Sequence, residues 1–301
     1  MPMVGLGSPV TLVAADGRAI SGRLFRASGG ASKAVLIAGA TGVAQRFYRG
    51  LATWLAAQGA TVITIDYRGI GESRSAGSPR QEGALMSDWG RYDIEAALRF
   101  LKAEVPDQQI VVIGHSAGGW LLSLAPSGRE VAALVTVASQ NGYWGYWRGK
   151  LRLARLVQWY VLLPLASAIM GRLPSLLLGG GEPLPGAIAR QWARWGRSRN
   201  FLAADHHDGP LPVPERFAGQ LLAICVPGDT AAPRRAVDWL PTLYPNASAK
   251  VVQLHDRYRV LGHFGAFRPG AAQLWAHGWH WVCEVTRSFP CNQAPGEPNG
   301  R

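Results

Sequence analysis

Acidic side chains are scarce in this chain: 19 Asp and Glu stand against 31 Lys and Arg, a formal charge of +12 over 301 residues. Such an excess suits phosphate backbones or anionic membranes, because bound Lys and Arg release counterions. The basic residues are spread along the chain, however, with no zinc-finger or RNP-type motif among them, so no nucleic-acid partner is expected. Cysteine is scarcer still. Cys225 lies in an apolar run and Cys283 and Cys291 near the C-terminal end, an odd set that argues against a disulfide framework and leaves Cys225 as a buried free thiol. The stretch MPMVGLGSPV lacks the basic start and apolar run of a secretory leader, which makes the cytoplasm the expected location. The most apolar stretch, 156–170, is short for a bilayer span, holds Gln158 and Pro164, and lies between Arg155 and Arg172; it reads as a buried or interfacial helix.

What is present is apolar side chain and turn. A hydrophobic content of 48%, with 37 Gly and 20 Pro, allows a large core and favours strands alternating with helices over a helical bundle. Residues 10–15 and 19–26 alternate around Asp16-Gly17, a hairpin signal. Short apolar runs at 34–38, 61–66, 109–113 and 131–138 then read as buried strands, separated by helical patterns at 47–58, 88–104 (capped by Asp88) and 117–125. From 139 to 215 the alternation stops. It resumes with strands at 220–226 and 249–254 and helices at 233–244 and 270–286. The pattern predicts an α/β chain: a mainly parallel sheet flanked by helices, in which sites gather at the carboxyl ends of strands. The expected organisation is a core in two parts, 1–138 and 216–287, an insertion at 139–215, and a disordered tail at 288–301.

The turn Gly114-His115-Ser116-Ala117-Gly118 carries a Gly-x-Ser-x-Gly pattern. Alone it is weak in so glycine-rich a chain, but here it follows the strand 109–113 and opens a helix, the bend that projects a serine hydroxyl. That hydroxyl becomes a useful nucleophile only with an imidazole in reach. His115 adjoins Ser116, yet neighbours on a sharp turn point apart, so it reads as a packing or orienting residue. His263, between the last strand and the last helix, is placed to be the base. His255 belongs to a charged run, and His277 and His280 fall inside a helix. The imidazole needs a carboxylate to hold its tautomer. Asp229 follows the strand 220–226 directly, whereas Asp238 falls inside a helix and Asp256 in a polar run. A turn or N-cap role is the structural alternative for Asp229.

The chain order Ser116, Asp229, His263 is that of α/β-hydrolases, and the sequence resembles that superfamily over most of its length. Ala38-Gly39-Ala40-Thr41-Gly42 resembles its oxyanion loop, and Asp66-Tyr67-Arg68-Gly69-Ile70-Gly71-Glu72-Ser73 resembles its D-x-R-G-x-G-x-S segment. Gly262-His263-Phe264-Gly265 resembles the histidine loop of a little-described bacterial branch of predicted hydrolases. The usual His-Gly of the oxyanion loop is replaced by Gly39-Ala40. The resemblance implies an α/β-hydrolase fold with a helical cap after the sixth strand. It further implies acyl transfer through Ser116 without a cofactor, a small-molecule acyl substrate, and oxyanion donors in the backbone N–H groups of Ala117 and of Thr41 or a neighbour. In such a cap Trp144, Trp147, Trp192 and Trp195, with Trp159, Leu162 and Leu163, either line an apolar pocket or form the cap's own core. Arg148, Lys150, Arg152 and Arg155, with Arg190, Arg194 and Arg197, suit an anionic substrate or lipid surface, or merely a solvated face.

Three rival readings use some of the same residues. Gly39-Ala40-Thr41-Gly42 after a strand, with Asp66 ending the next, is how a unit binding NAD or NADP begins, though Gln45 occupies its third small position. Asp205-His206-His207-Asp208, and His277 with His280, carry metal-ligand side chains without a convincing third partner, so no metal is expected. A non-catalytic α/β-hydrolase-like protein that grips a ligand under its cap is the alternative of another class.

Overall fold

The hairpin at Asp16-Gly17 opens the sheet: β1 (Ser8–Val13) pairs antiparallel with β2 (Ala19–Phe25), and Gly17 takes the left-handed φ of +82° that the turn requires. Residues 6–29, 33–77, 83–205, 217–255 and 262–286 are described by the computed structural model of the chain. The expected tail 288–301, Cys291, Asp256 and the 206–208 part of the acid-histidine cluster lie outside the described residues.

β3 (Lys33–Ala38) and β4 (Ala60–Ile65) are buried at every position, as befits parallel strands covered on both faces. β5 (Gln109–His115), β6 (Val131–Val137), β9 (Gln220–Cys225) and β10 (Ser248–Gln253) complete an eight-stranded sheet in the order β1-β2-β4-β3-β5-β6-β9-β10. All pairings from β4 to β10 are parallel. From β3 the chain passes to β4 on one side and then to β5 on the other, so the loops leaving β3 and β5 diverge at a switch point. An open α/β sheet leaves its crevice there. Ala38 pairs with Gly114 across it.

Helices cover the sheet with apolar stripes. Arg49–Ala57 buries Leu51, Ala52, Leu55 and Ala56 against β4. The last helix, Ala272–Val285, packs against β6 and meets the first through Trp54 and Trp275, ring centroids 6.1 Å apart. Asp88 does cap, but from within the first turn: its carboxylate accepts the Leu85 N–H at 2.8 Å, and a wide turn at Trp89–Ile94 leads into Glu95–Glu104. The helix expected at 117–125 tightens after Leu121 into a 3₁₀ turn, and the one at 233–244 is two short pieces, Arg234–Val237 and Leu240–Leu243. Cys225 is a buried free thiol, whereas Cys283 is disulfide-bonded, which the odd cysteine count did not anticipate.

Between β6 and β9 the described segment is largely helical. Gly149–Val157 runs through a wide turn, Gln158–Leu162, into Leu163–Met170; the two-residue strands β7 (Arg172–Leu173) and β8 (Leu184–Pro185) pair, and the helix Gly186–Arg197 follows. This corrects the length expected for 156–170 and its buried alternative. The stretch continues an earlier helical turn, so Gly149–Met170 spans 22 residues and holds an 18-residue window of mean hydropathy 1.5, long and apolar enough to cross a membrane by length and composition. Most of it is exposed rather than buried.

Candidate active site

Ser116 sits at the end of β5 with φ +50° and ψ −110°, a conformation that L-residues avoid, and opens the helix Ala117–Leu121. The bend closes only because its glycines lack side chains. A Cβ on Gly118 would meet the Ala38 carbonyl oxygen at 2.0 Å, and one on Gly114 would meet the Gly119 backbone at 2.6 Å. Local sequence therefore brings the hydroxyl to the switch point, against the loop leaving β3.

His263 and Asp229 reach the same place from later strands. Asp229 follows β9 and uses its oxygens differently: Oδ1 accepts the N–H groups of Ala231 and Ala232 at 2.8 and 3.2 Å, and Oδ2 meets His263 Nδ1 at 2.8 Å. The turn role and the histidine contact thus coexist in one carboxylate. With Nδ1–H directed at Asp229, Nε2 of His263 is left as an acceptor. Ser116 and His263 line one cavity of about 130 Å³. The Ser116 hydroxyl donates to Gln140 Oε1 in a long contact of 3.4 Å, and no hydrogen bond joins it to His263. Such contacts are often loose before substrate binds.

Two backbone donors stand open beside Ser116. Ala117 is the first residue of its helix, and neither its N–H nor that of Thr41 has an acceptor among the described residues. The Ala40 N–H is committed instead to Tyr48 Oη at 2.8 Å, which leaves Thr41 as the donor facing the cavity.

His115 orients rather than reacts. It is fully buried, its Nε2 lies 2.8 Å from the His263 carbonyl and its Nδ1 2.9 Å from Tyr48 Oη. A carbonyl can only accept, so Nε2 carries the proton and Nδ1 takes the Tyr48 hydroxyl proton. Burial, then the neighbouring His263, hold the His115 pKa well below its ordinary value, and burial raises that of the Tyr48 phenol. Both groups are neutral, and the relay has one tautomer.

The remaining cavity wall comes largely from the segment between β6 and β9: Trp147, Arg155, Gln158, Trp159, Trp192 and Phe201. Trp147 and Trp192 therefore face the cavity. Trp195 instead packs against Trp120 and Phe201 and donates to Asp205 Oδ2 at 2.7 Å, while Trp144 lies under Arg152, 4.6 Å from ring centroid to guanidinium. Leu162 is exposed and Leu163 is buried away from the cavity. Gln140 escaped sequence reasoning although it follows the end of β6, where the strand-end rule would have found it. Tyr48 lies on a helical turn that no such rule reaches, and Arg155 was singled out only as one member of a basic run.

The rival sites are differently occupied. Asp66 accepts the Gln45 backbone and side-chain N–H groups and the Glu72 N–H, so its carboxylate pins the glycine loop and is not free for a ribose. Arg68 in that loop pairs with buried Asp93 and with Asp16. Asp205 is taken by Gln191, Arg194 and Trp195, and His280 pairs with Glu284. Among the described residues no three His, Cys, Asp or Glu side chains converge.

A family model described as alpha/beta hydrolase fold matches residues 35–181, which include the Ser116 turn. No curated protein sequence matches the chain. Among solved structures, a soluble variant of monoglyceride lipase from Saccharomyces cerevisiae superposes with a TM-score of 0.64 at 14% identity, covering 95% of this chain and 99% of that one. The thermophilic esterase from Thermogutta terrifontis gives 0.55 at 16% identity over 93% and 99% of the two chains. Mouse alpha/beta hydrolase domain-containing protein 10 gives 0.57 at 15% identity over 93% and 100%. Sheet order, the strained serine turn and these likenesses converge: the chain has the α/β-hydrolase fold, and residues 35–181 resemble the family of that name.

Proposed function

We propose that the chain is a serine hydrolase that cleaves a carboxylic ester or related acyl bond through an acyl-enzyme. The observation that carries this reading is the 2.8 Å contact between Asp229 and His263 beside the cavity that His263 shares with Ser116. His263 Nε2 takes the Ser116 proton as Oγ attacks the carbonyl carbon, and Asp229 steadies the imidazolium. The N–H groups of Thr41 and Ala117 receive the developing oxyanion. Collapse expels the alcohol, protonated by His263; water, deprotonated by the same imidazole, then releases the acid and restores Ser116. Segment 139–215 acts as a cap whose tryptophans shape the acyl or alcohol pocket. Thioesters, lactones and amides need the same groups.

A fluorophosphonate probe tests the reading. Wild type should label and Ser116→Ala should not, and a chromogenic ester panel of increasing chain length then reports the pocket. Unlabelled wild type sinks the hydrolase reading. A ligand-binding protein without turnover would then stand, a reading that the Ser116 contact with Gln140 favours.

A further inference from the structure

We propose that Arg155 anchors an anionic group of the substrate, a carboxylate in the simplest case, so that the ester cleaved at Ser116 carries a negative charge on its acyl or alcohol part. This rests on the hydrolase reading and narrows its substrate class. Arg155 lines the cavity with Ser116 and His263. Its guanidinium lies over the Trp147 ring at 4.9 Å, and that indole is fixed by its N–H to the Thr230 carbonyl at 2.8 Å. Nη1 of Arg155 donates to Gln158 Oε1, whereas Nε and Nη2 make no hydrogen bond and no carboxylate pairs with the side chain among the described residues. Asp229 exerts a field on it, but both oxygens of that carboxylate are already engaged. A half-buried cation without an ion pair carries a desolvation cost, and burial pulls the Arg155 pKa below its ordinary value. The open Nε/Nη2 edge matches a carboxylate bidentately. An apolar side chain would fill the same space at less cost if the cavity received only neutral acyl chains.

Paired substrates test this: the nitrophenyl monoester of glutaric acid, and the nitrophenyl ester of pentanoic acid. Wild type should favour the anionic ester, and Arg155→Met should lower the anionic-to-neutral ratio of kcat/KM at least tenfold, with Arg155→Lys between. Glutarate should raise the thermal midpoint of Ser116→Ala but not that of Arg155→Met. An unchanged ratio in Arg155→Met overturns the proposal. Failure of the hydrolase reading looks different: neither ester turns over and the probe does not label, while glutarate still stabilises Ser116→Ala.

An independent observation assigns the outer face of the helix Gly149–Met170 to an anionic lipid surface. Of the thirteen large apolar side chains exposed among the described residues, eleven lie between Leu151 and Leu177. Leu153, Val157, Val161, Leu165 and Ile169 recur at every fourth position and form an outward stripe, with Leu153 64% and Ile169 63% exposed. Exposed Arg148, Lys150 and Arg152 frame one end and Arg172 the other, and no acidic residue occurs from 142 to 181. A second copy docked on this face would bring like charges together; an anionic bilayer accepts both the stripe and its basic frame. The inner face of the same helix supplies Arg155, Gln158 and Trp159 to the cavity.

Co-sedimentation with vesicles reads this directly. Wild type should pellet with equal parts phosphatidylcholine and phosphatidylglycerol, and much less with phosphatidylcholine alone or in high salt. Combined Leu153→Ser, Val161→Ser, Leu165→Ser and Ile169→Ser should abolish pelleting with the circular dichroism spectrum unchanged, and Arg148→Gln, Lys150→Gln and Arg152→Gln should weaken it. Wild type remaining in the supernatant overturns the assignment. So does a dimer, seen by sedimentation velocity, that the serine substitutions dissolve.

Discussion

His115 donates its Nε2–H to the backbone carbonyl of His263, 148 residues further along the chain, at 2.8 Å. With Tyr48 bridging His115 to the Ala40 N–H, the loop after β3 and the loop bearing His263 are tied through one buried chain of hydrogen bonds. Their spacing across Ser116 depends on neither loop alone.

Tyr48→Phe breaks that chain at its centre, leaving the Ala40 N–H and His115 Nδ1 buried without partners. Each orphaned group costs about 1–3 kcal/mol, so the urea midpoint should fall. Ester turnover should fall with it as the two loops lose register. An unchanged midpoint would show that water replaces the phenol.

The His115 pKa also sets a pH dependence. Its folded value is depressed below about 6.5, the value in the unfolded chain. Below that pH the unfolded state binds the extra proton, so the stability associated with neutral His115 is full above pH 6.5 and lost as pH falls below it, by up to about 1.4 kcal/mol per pH unit. Urea denaturation at pH 7 and pH 5 should show the stability difference between wild type and His115→Gln shrinking at the lower pH. A constant difference would show that His115 does not titrate on unfolding.

Asp229→Asn should keep the turn, because Asn Oδ1 still accepts from Ala231 and Ala232, yet lose the carboxylate facing His263 Nδ1. Turnover should drop by about 10⁴ with little change in thermal midpoint. Near-normal turnover would remove Asp229 from the mechanism.

Gly118→Ala drives a Cβ to 2.0 Å from the Ala38 carbonyl oxygen, a backbone atom that cannot yield cheaply. Destabilisation at or beyond the top of the roughly 1–3 kcal/mol usual for overpacking should follow. Gly278→Ala is the counterpart: its Cβ meets nothing within 4 Å on the last helix, so it should stabilise by about 0.5–1 kcal/mol. Equal midpoints for the two variants would refute the packing argument.

Much of the fold was legible because its signals are local. The Asp16-Gly17 turn, the fully apolar runs at β3 and β4, and the loops after β5 and β9 each announce themselves within a few residues. Asp229 and His263, read as following separate strands, meet in space because a parallel sheet gathers its carboxyl ends. Helical residues were harder. Tyr48 and Arg155 owe their positions to the face of a helix turned inward, and periodicity reports an apolar face without saying what covers it. The same gap explains the stretch 156–170: composition showed it apolar, but burial depends on neighbours that the sequence does not name, and Leu165 and Ile169 face solvent.

The groups around Ser116 are dispersed along the chain as well as in the sheet: the β3 loop and Ser116 come from the first half, Asp229 after β9 and His263 beyond β10. During synthesis the serine turn leaves the ribosome well before the histidine that faces its cavity. In the proposed mechanism a nascent chain therefore carries a serine with no base, chemically silent until the residue beyond the last strand is in place. Reactivity therefore lags behind strand completion, and any fragment ending before residue 263 should be inert however well its strands are formed.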